Sequence, residues 1–209
     1  GALTRATRFR LAQKAFAHTA AYDGAIAMHL SSYADETSAK GLFPHRLVLA
    51  LEQKQLLRYG ENPHQSAAFY AEPGVGADRL AGGRVLKGKE LSYNNLLDLD
   101  AALACVREFS LPAAVIVKHT NPCGAATDER DLVLAYQRAR ETDPVSAFGG
   151  IVAFNRPVDV ALANELSETF LECIVAPGFA DDALSVLAKK KNLRLVVVAV
   201  TASADASWA

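Results

Sequence analysis

The chain has 209 residues, 51% of them hydrophobic and 22% charged, with a formal net charge of −1 at pH 7, which is enough apolar material for one large core with or without a small appendage. So balanced a charge exerts no long-range pull on nucleic acid or an anionic membrane, leaving room only for a local anion pocket. No apolar run approaches the ~20 residues of a membrane span, and three widely spaced cysteines, Cys105, Cys123 and Cys173, fit a reducing cytoplasm better than a disulfide framework.

Residues 3–33 carry apolar side chains at helical spacing. Phe9, Ala12, Phe16 and Ala20 form one set and Leu11, Ala15, Tyr22 and Ile26 another, with a break at Asp23-Gly24 that admits one helix or two. The polar run from Asp35 to Pro44 marks a linker, and a boundary near residue 40 separates a helical segment, 1–40, from a larger domain, 41–200.

Beyond it, apolar runs predict strands at 47–51 and 67–71, separated by a loop through Arg58 to Gln65. A glycine-rich stretch holds a short extended piece at 84–86. There follow a helix over 95–108, a strand over 113–117, a helix over 131–141, a strand over 151–154, a helix over 158–170, a strand over 173–176, a helix over 181–191 and a strand over 193–200. Strands alternating with helices predict an α/β fold with a mixed, largely parallel sheet covered by helices on both faces. The last strand is apolar and needs cover on both faces, yet residues 201–209 are too small and polar to supply it. Either a partner covers it or sequence is missing; an open sheet edge there and a disordered or non-family tail at 201–209 are the expectation.

The strand over 113–117 runs into Lys118-His119-Thr120-Asn121-Pro122-Cys123-Gly124. The carboxyl end of a strand is where open α/β sheets place their ligands, which makes Lys118 and His119 the leading candidates for chemistry. Neighbouring side chains on an extended chain point to opposite faces, so both can serve one pocket only if the chain bends just after Val117. Asn121-Pro122 supplies a reason for the bend. Taken alone, a Lys-His pair at a strand end is commonly a solvated loop.

Several other patterns carry little. Cys123 lacks the second cysteine two residues on and the His-x-Glu element of zinc deaminases, so the pattern predicts no metal. The glycines at 74, 76, 82 and 83 do not form a dinucleotide fingerprint between a strand and a helix. Lys189-Lys190-Lys191 complements the end of a helix dipole and is not read as a nucleic-acid patch.

Five motifs occur together and in order: Leu57-Arg58-Tyr59-Gly60-Glu61-Asn62-Pro63-His64-Gln65, Leu91-Ser92-Tyr93-Asn94-Asn95-Leu96, Lys118 to Gly124, Ser146-Ala147-Phe148-Gly149-Gly150, and Ile174-Val175-Ala176-Pro177. In this the chain resembles the bifunctional purine-biosynthesis proteins that join an IMP cyclohydrolase domain to an AICAR transformylase domain. Nearly the whole chain takes part, but it covers only a portion of such a protein. Residues 1–40 resemble the last helices of the cyclohydrolase domain, and 41–200 the first half of the transformylase domain, whose fold in the family is cytidine-deaminase-like.

The resemblance implies formyl transfer from the co-substrate 10-formyltetrahydrofolate to the 5-amino group of AICAR, with no metal, in a protein that is a homodimer at full length. It also implies roles. His119 matches the catalytic base and Lys118 the charge-stabilising lysine; Arg58 matches a phosphate ligand of AICAR and Tyr59 its support; Asn95, Gly149 and Glu172 match further AICAR contacts. The alternatives are a catalytically inactive nucleotide-binding or assembly fragment and, from another class, an unrelated hydrolase or deaminase on the same kind of sheet.

Overall fold

The computed structural model describes residues 3–35 and 37–200. The chain forms two compact units, residues 1–52 and 53–209. In the first, α1 (Arg5–Ser31) runs without interruption through Asp23-Gly24, so one helix forms and not two. Thr4 caps it by accepting the Thr7 amide. No residue of α1 is buried, and Phe9, Phe16, Tyr22 and Leu30 all stand exposed. Behind it the chain folds back on the helix's carboxyl half: the Val48 amide donates to Met28 Sδ, and a Cβ on Gly24 would meet Val48 at 3.1 Å.

The second unit begins with a two-stranded sheet of β1 (Glu52–Leu57) and β2 (Ala67–Ala71). The strand expected at 47–51 is absent, and β1 lies next to it instead, on the polar alternation around Gln53 and Gln55. A single 3-10 turn (Leu80–Gly82) and β3 (Arg84–Lys87) lead to α2 (Tyr93–Arg107). Next come β4 (Ala113–Lys118) and β5 (Asn121–Thr127), then α3 (Leu132–Thr142), the short α4 (Pro144–Ala147), β6 (Ile151–Phe154), α5 (Val160–Ser167), β7 (Cys173–Ala176), α6 (Asp181–Leu187) and β8 (Arg194–Val197).

Six of the strands form one mixed sheet in the order β3-β8-β7-β6-β4-β5. β6, β7 and β8 are parallel to one another, whereas β3, β4 and β5 join by antiparallel pairings. Each strand alternates its side chains between two apolar layers. Leu96, Leu99, Leu103 and Val106 of α2, spaced three and four apart, cover Val115, Val117, Ala153, Val175 and Val196. On the opposite face α3, α5 and α6 cover Ile116, Val152, Phe154, Ile174 and Leu195. Each wholly buried leucine or valine contributes about 2 kcal/mol of transfer free energy, so the two layers hold the sheet flat between helices and fix its register.

Two expectations change on this frame. β8 is an interior strand: Leu195 packs into one layer, Val196 and Val198 into the other, and β3 pairs along its far side, so neither its faces nor its edge are open. The tail at 201–209 lies outside the described residues. Asn121-Pro122 starts a strand and not a loop. β5 is the sheet's outer strand, where a proline without an N–H can be tolerated, and Gly124 lets it lie against α3, since a Cβ there would run into the Ala139 carbonyl.

Candidate active site

Antiparallel pairing of β4 with β6 sets Val117 opposite Ile151; parallel pairing continues the row to Cys173 on β7 and Arg194 on β8. One end of the sheet therefore gathers Lys118, Gly149-Gly150, Glu172 and Arg194. For β4 this is the carboxyl end, as the sequence implied; for the three parallel strands it is the amino end. The usual rule about carboxyl ends reaches this site only because β4 runs the other way.

The amino terminus of α2 meets the same end of the sheet. Ser92 and Asn95 form a reciprocal capping box, with the Asn95 amide donating to Ser92 Oγ and the Ser92 amide to Asn95 Oδ1, both at 3.2 Å. Asn95 is buried at 4% exposure, and its Nδ2 donates to Glu172 Oε2 at 2.9 Å. Its side chain is thus spent at both ends, on the cap and on Glu172. It braces the carboxylate and leaves Glu172 Oε1 open to a ligand.

A cavity of about 590 Å³ opens between these elements, lined by Arg58 and Tyr59 after β1, Ser92 and Asn95 of the α2 cap, Phe170 and Glu172 before β7, and Arg194 of β8, with Lys89, Glu90, Leu91 and Asn192 completing the wall. Four of the seven residues singled out from sequence, Arg58, Tyr59, Asn95 and Glu172, are brought together. Arg58 is exposed and lies on Tyr59, its Cζ 5.0 Å from the ring centre and its Nη2 3.3 Å from the hydroxyl. Three cations, Arg58, Lys89 and Arg194, face two carboxylates, Glu90 and Glu172, in keeping with a local anion pocket on a nearly neutral chain.

The other three residues do not line that cavity. Lys118 Nζ donates to the Gly149 carbonyl at 3.0 Å and the Phe148 carbonyl at 3.3 Å, which leaves one ammonium N–H uncommitted. Gly149, at φ +69, gives its own N–H to the Phe170 carbonyl at 2.8 Å, so both of its backbone groups are engaged within the chain. A Cβ there would meet Lys118 Nζ at 3.1 Å and the Phe170 ring at 3.3 Å. Gly149 thus couples Lys118 to Phe170, and Phe170 lines the cavity. α5 ends at Ser167, three residues before the predicted Phe170, and the freed segment carries that ring to the site.

His119 is exposed and does not line the cavity. It forms, with Thr120, the two-residue turn between β4 and β5, and both have positive φ, 51 and 61. The bend therefore falls at His119-Thr120 itself, one residue later than expected, in the left-handed turn that tight hairpins favour. Glycine or asparagine is usual there; a β-branched threonine is strained, at about 1–3 kcal/mol. Asp98 Oδ1 of α2 accepts the Thr120 amide at 2.7 Å, and a hydrogen bond to a carboxylate, at about 1.5–3 kcal/mol, is large enough to offset that strain. Backbone held out of its preferred region gathers at functional sites.

Sequence reasoning passed over Asp98, Ser92, Lys89 and Arg194. A Ser-x-x-Asn capping pattern was there to be read at 92–95. Nothing local marks Arg194, which reaches the site through the pairing of β7 with β8. Cys173, opposite it in that pairing, is fully buried, and burial pushes its thiol up from 9.0 to about 12. Among the described residues no group of three or more His, Cys, Asp or Glu could hold a metal ion, and no helix is long and apolar enough to cross a membrane.

A family model described as the AICARFT/IMPCHase bienzyme matches residues 1–208. The chain belongs to that family. It is 57% identical over 211 residues to the bifunctional purine biosynthesis protein PurH of Sorangium cellulosum, a match that takes in 98% of this chain and 40% of that protein. The chain thus spans well under half the length of the curated relative.

Proposed function

We propose that this chain supplies the AICAR-side wall of a formyl-transfer site, the donor being 10-formyltetrahydrofolate. What supports this most is the single cavity that joins Arg58, Tyr59, Asn95 and Glu172 at the sheet end where Lys118 and His119 also lie. Arg58 would take a phosphate oxygen with its planar fork. Glu172, braced by Asn95, would accept hydrogen bonds from ribose hydroxyls or an amino group.

The 5-amino group is a poor nucleophile because its lone pair is conjugated with the imidazole ring and carboxamide, so a base must take its proton as it attacks the formyl carbon. His119 is assigned that role, since an imidazole exchanges protons near neutral pH. Negative charge then develops on the formyl oxygen, and Lys118, already fixed by two carbonyls, would stabilise it with its remaining N–H; collapse of that oxyanion breaks the bond from the formyl carbon to the folate nitrogen, which takes up a proton and leaves as tetrahydrofolate, giving formyl-AICAR. Folate contacts are assigned to the part of the family's proteins that this chain does not span.

Residues 1–40 are read as the closing helices of a cyclohydrolase-like domain, in keeping with the exposed apolar side chains of α1, and 41–200 as the first half of a transformylase-like, cytidine-deaminase-like domain. A homodimer and a cytoplasmic location complete the proposal, both carried by the family resemblance. Titrating the chain with AICAR by calorimetry, alone and mixed with a polypeptide carrying the remaining transformylase sequence, tests it. Weak binding alone and tighter binding in the mixture are expected. No binding in the mixture, or tight binding by the chain alone, would refute it.

A further inference from the structure

Arg194 opens β8 on the cavity wall, half-buried, with its Nε fully buried and without a hydrogen-bond partner. The ion pairs of the described residues do not include it. A guanidinium keeps its charge at any working pH, and taking it out of water without a counter-charge is costly. Cys173, its register partner, lies within hydrogen-bonding reach of the guanidinium but, keeping its proton, supplies no counter-charge.

Arg58 differs: it is exposed and rests on the Tyr59 ring. Arg194 is carried by β8 and lines the cavity outside the ion pairs of the described residues. On the same wall, Glu172 repels anions and accepts from hydroxyls, so a ligand with an anionic end and a hydroxylated body suits the pair.

We infer that Arg194 is a second phosphate-binding residue of this cavity, the half-buried one beside the exposed Arg58, holding the phosphate of a phosphorylated ribose while Glu172 accepts its hydroxyls. This rests on the nucleotide reading above and adds a ligand to it.

The side-chain Nε–H signals of the arginines in the 209-residue chain, followed by NMR, test it with three probes: AICAR, its dephosphorylated nucleoside and inorganic phosphate. The Arg194 signal should move with AICAR and with inorganic phosphate but not with the nucleoside. In Arg194→Gln, AICAR affinity should fall by about tenfold or more and nucleoside affinity by less than about twofold, with Arg194→Lys between. An unmoved Arg194 signal while the Arg58 signal responds, or equal losses for nucleotide and nucleoside, would overturn the assignment and leave the nucleotide site standing. If no probe moves any residue of the cavity, both fall. Should Arg194→Gln fail to fold, the unsubstituted chain's Arg194 signal and Arg194→Lys decide the matter.

Discussion

Asp98 of α2 accepts the Thr120 amide at 2.7 Å, tying the helix that covers the sheet to the hairpin turn that carries His119. The turn is left-handed at two residues that lack glycine's freedom, so the carboxylate acts as its clamp. Asp98→Ala should cost about 1.5–3 kcal/mol in urea denaturation and speed amide exchange at Thr120 and Asn121 well above that of β4's interior. Asp98→Asn, which keeps an acceptor oxygen, should restore most of the protection. Unchanged exchange in the alanine variant would remove the clamp.

Asn95 and Glu172 should behave as one unit. With Asn95 buried and its Nδ2 2.9 Å from Glu172 Oε2, either truncation leaves the other group short of a partner. A double-mutant cycle of Asn95→Ala and Glu172→Ala should give a coupling of about 1–2 kcal/mol in stability. A coupling near zero would mean that the two side chains act independently.

Cys173 should be the last of the three thiols to react. Burial raises its value to about 12, and Cys105 and Cys123, only partly buried, are raised as well, also chiefly by burial. Because folding lifts the Cys173 thiol above its ordinary 9.0, the stability linked to this group is whole below pH 9 and is lost as pH rises toward 12. Alkylation at pH 8, read by peptide mass mapping, should label Cys105 and Cys123 first and Cys173 only on unfolding. Early labelling of Cys173 in the folded chain would contradict this.

Much of the fold can be read from local pattern. The runs Ala67–Ala71, Ile151–Phe154 and Cys173–Ala176 are strands with the predicted bounds, because apolar segments closed off by polar residues, glycine or proline have little choice. β5 escaped because Asn-Pro-Cys-Gly has the composition of a loop, and because His-Thr is an unusual hairpin turn whose conformation depends on a distant acceptor, Asp98. The cover of β8 escaped because β3 pairs with it across more than a hundred residues, Arg84 beside Val197. Of the residues that line the cavity, Arg58, Tyr59 and Asn95 lie in the quoted motifs and Glu172 just before the last of them, whereas Arg194 sits in none and is placed by the register of β7 with β8.

The most direct measurement is single-turnover formyl transfer by this chain completed with the remaining transformylase sequence, comparing His119→Ala with Arg58→Ala. His119→Ala should lower the rate of transfer by about 10²–10⁴ while AICAR affinity stays within about threefold, and Arg58→Ala should chiefly weaken AICAR affinity. Transfer at an undiminished rate in His119→Ala, or a loss of nucleotide affinity in its place, would contradict the assignment of the strained turn as the seat of the base.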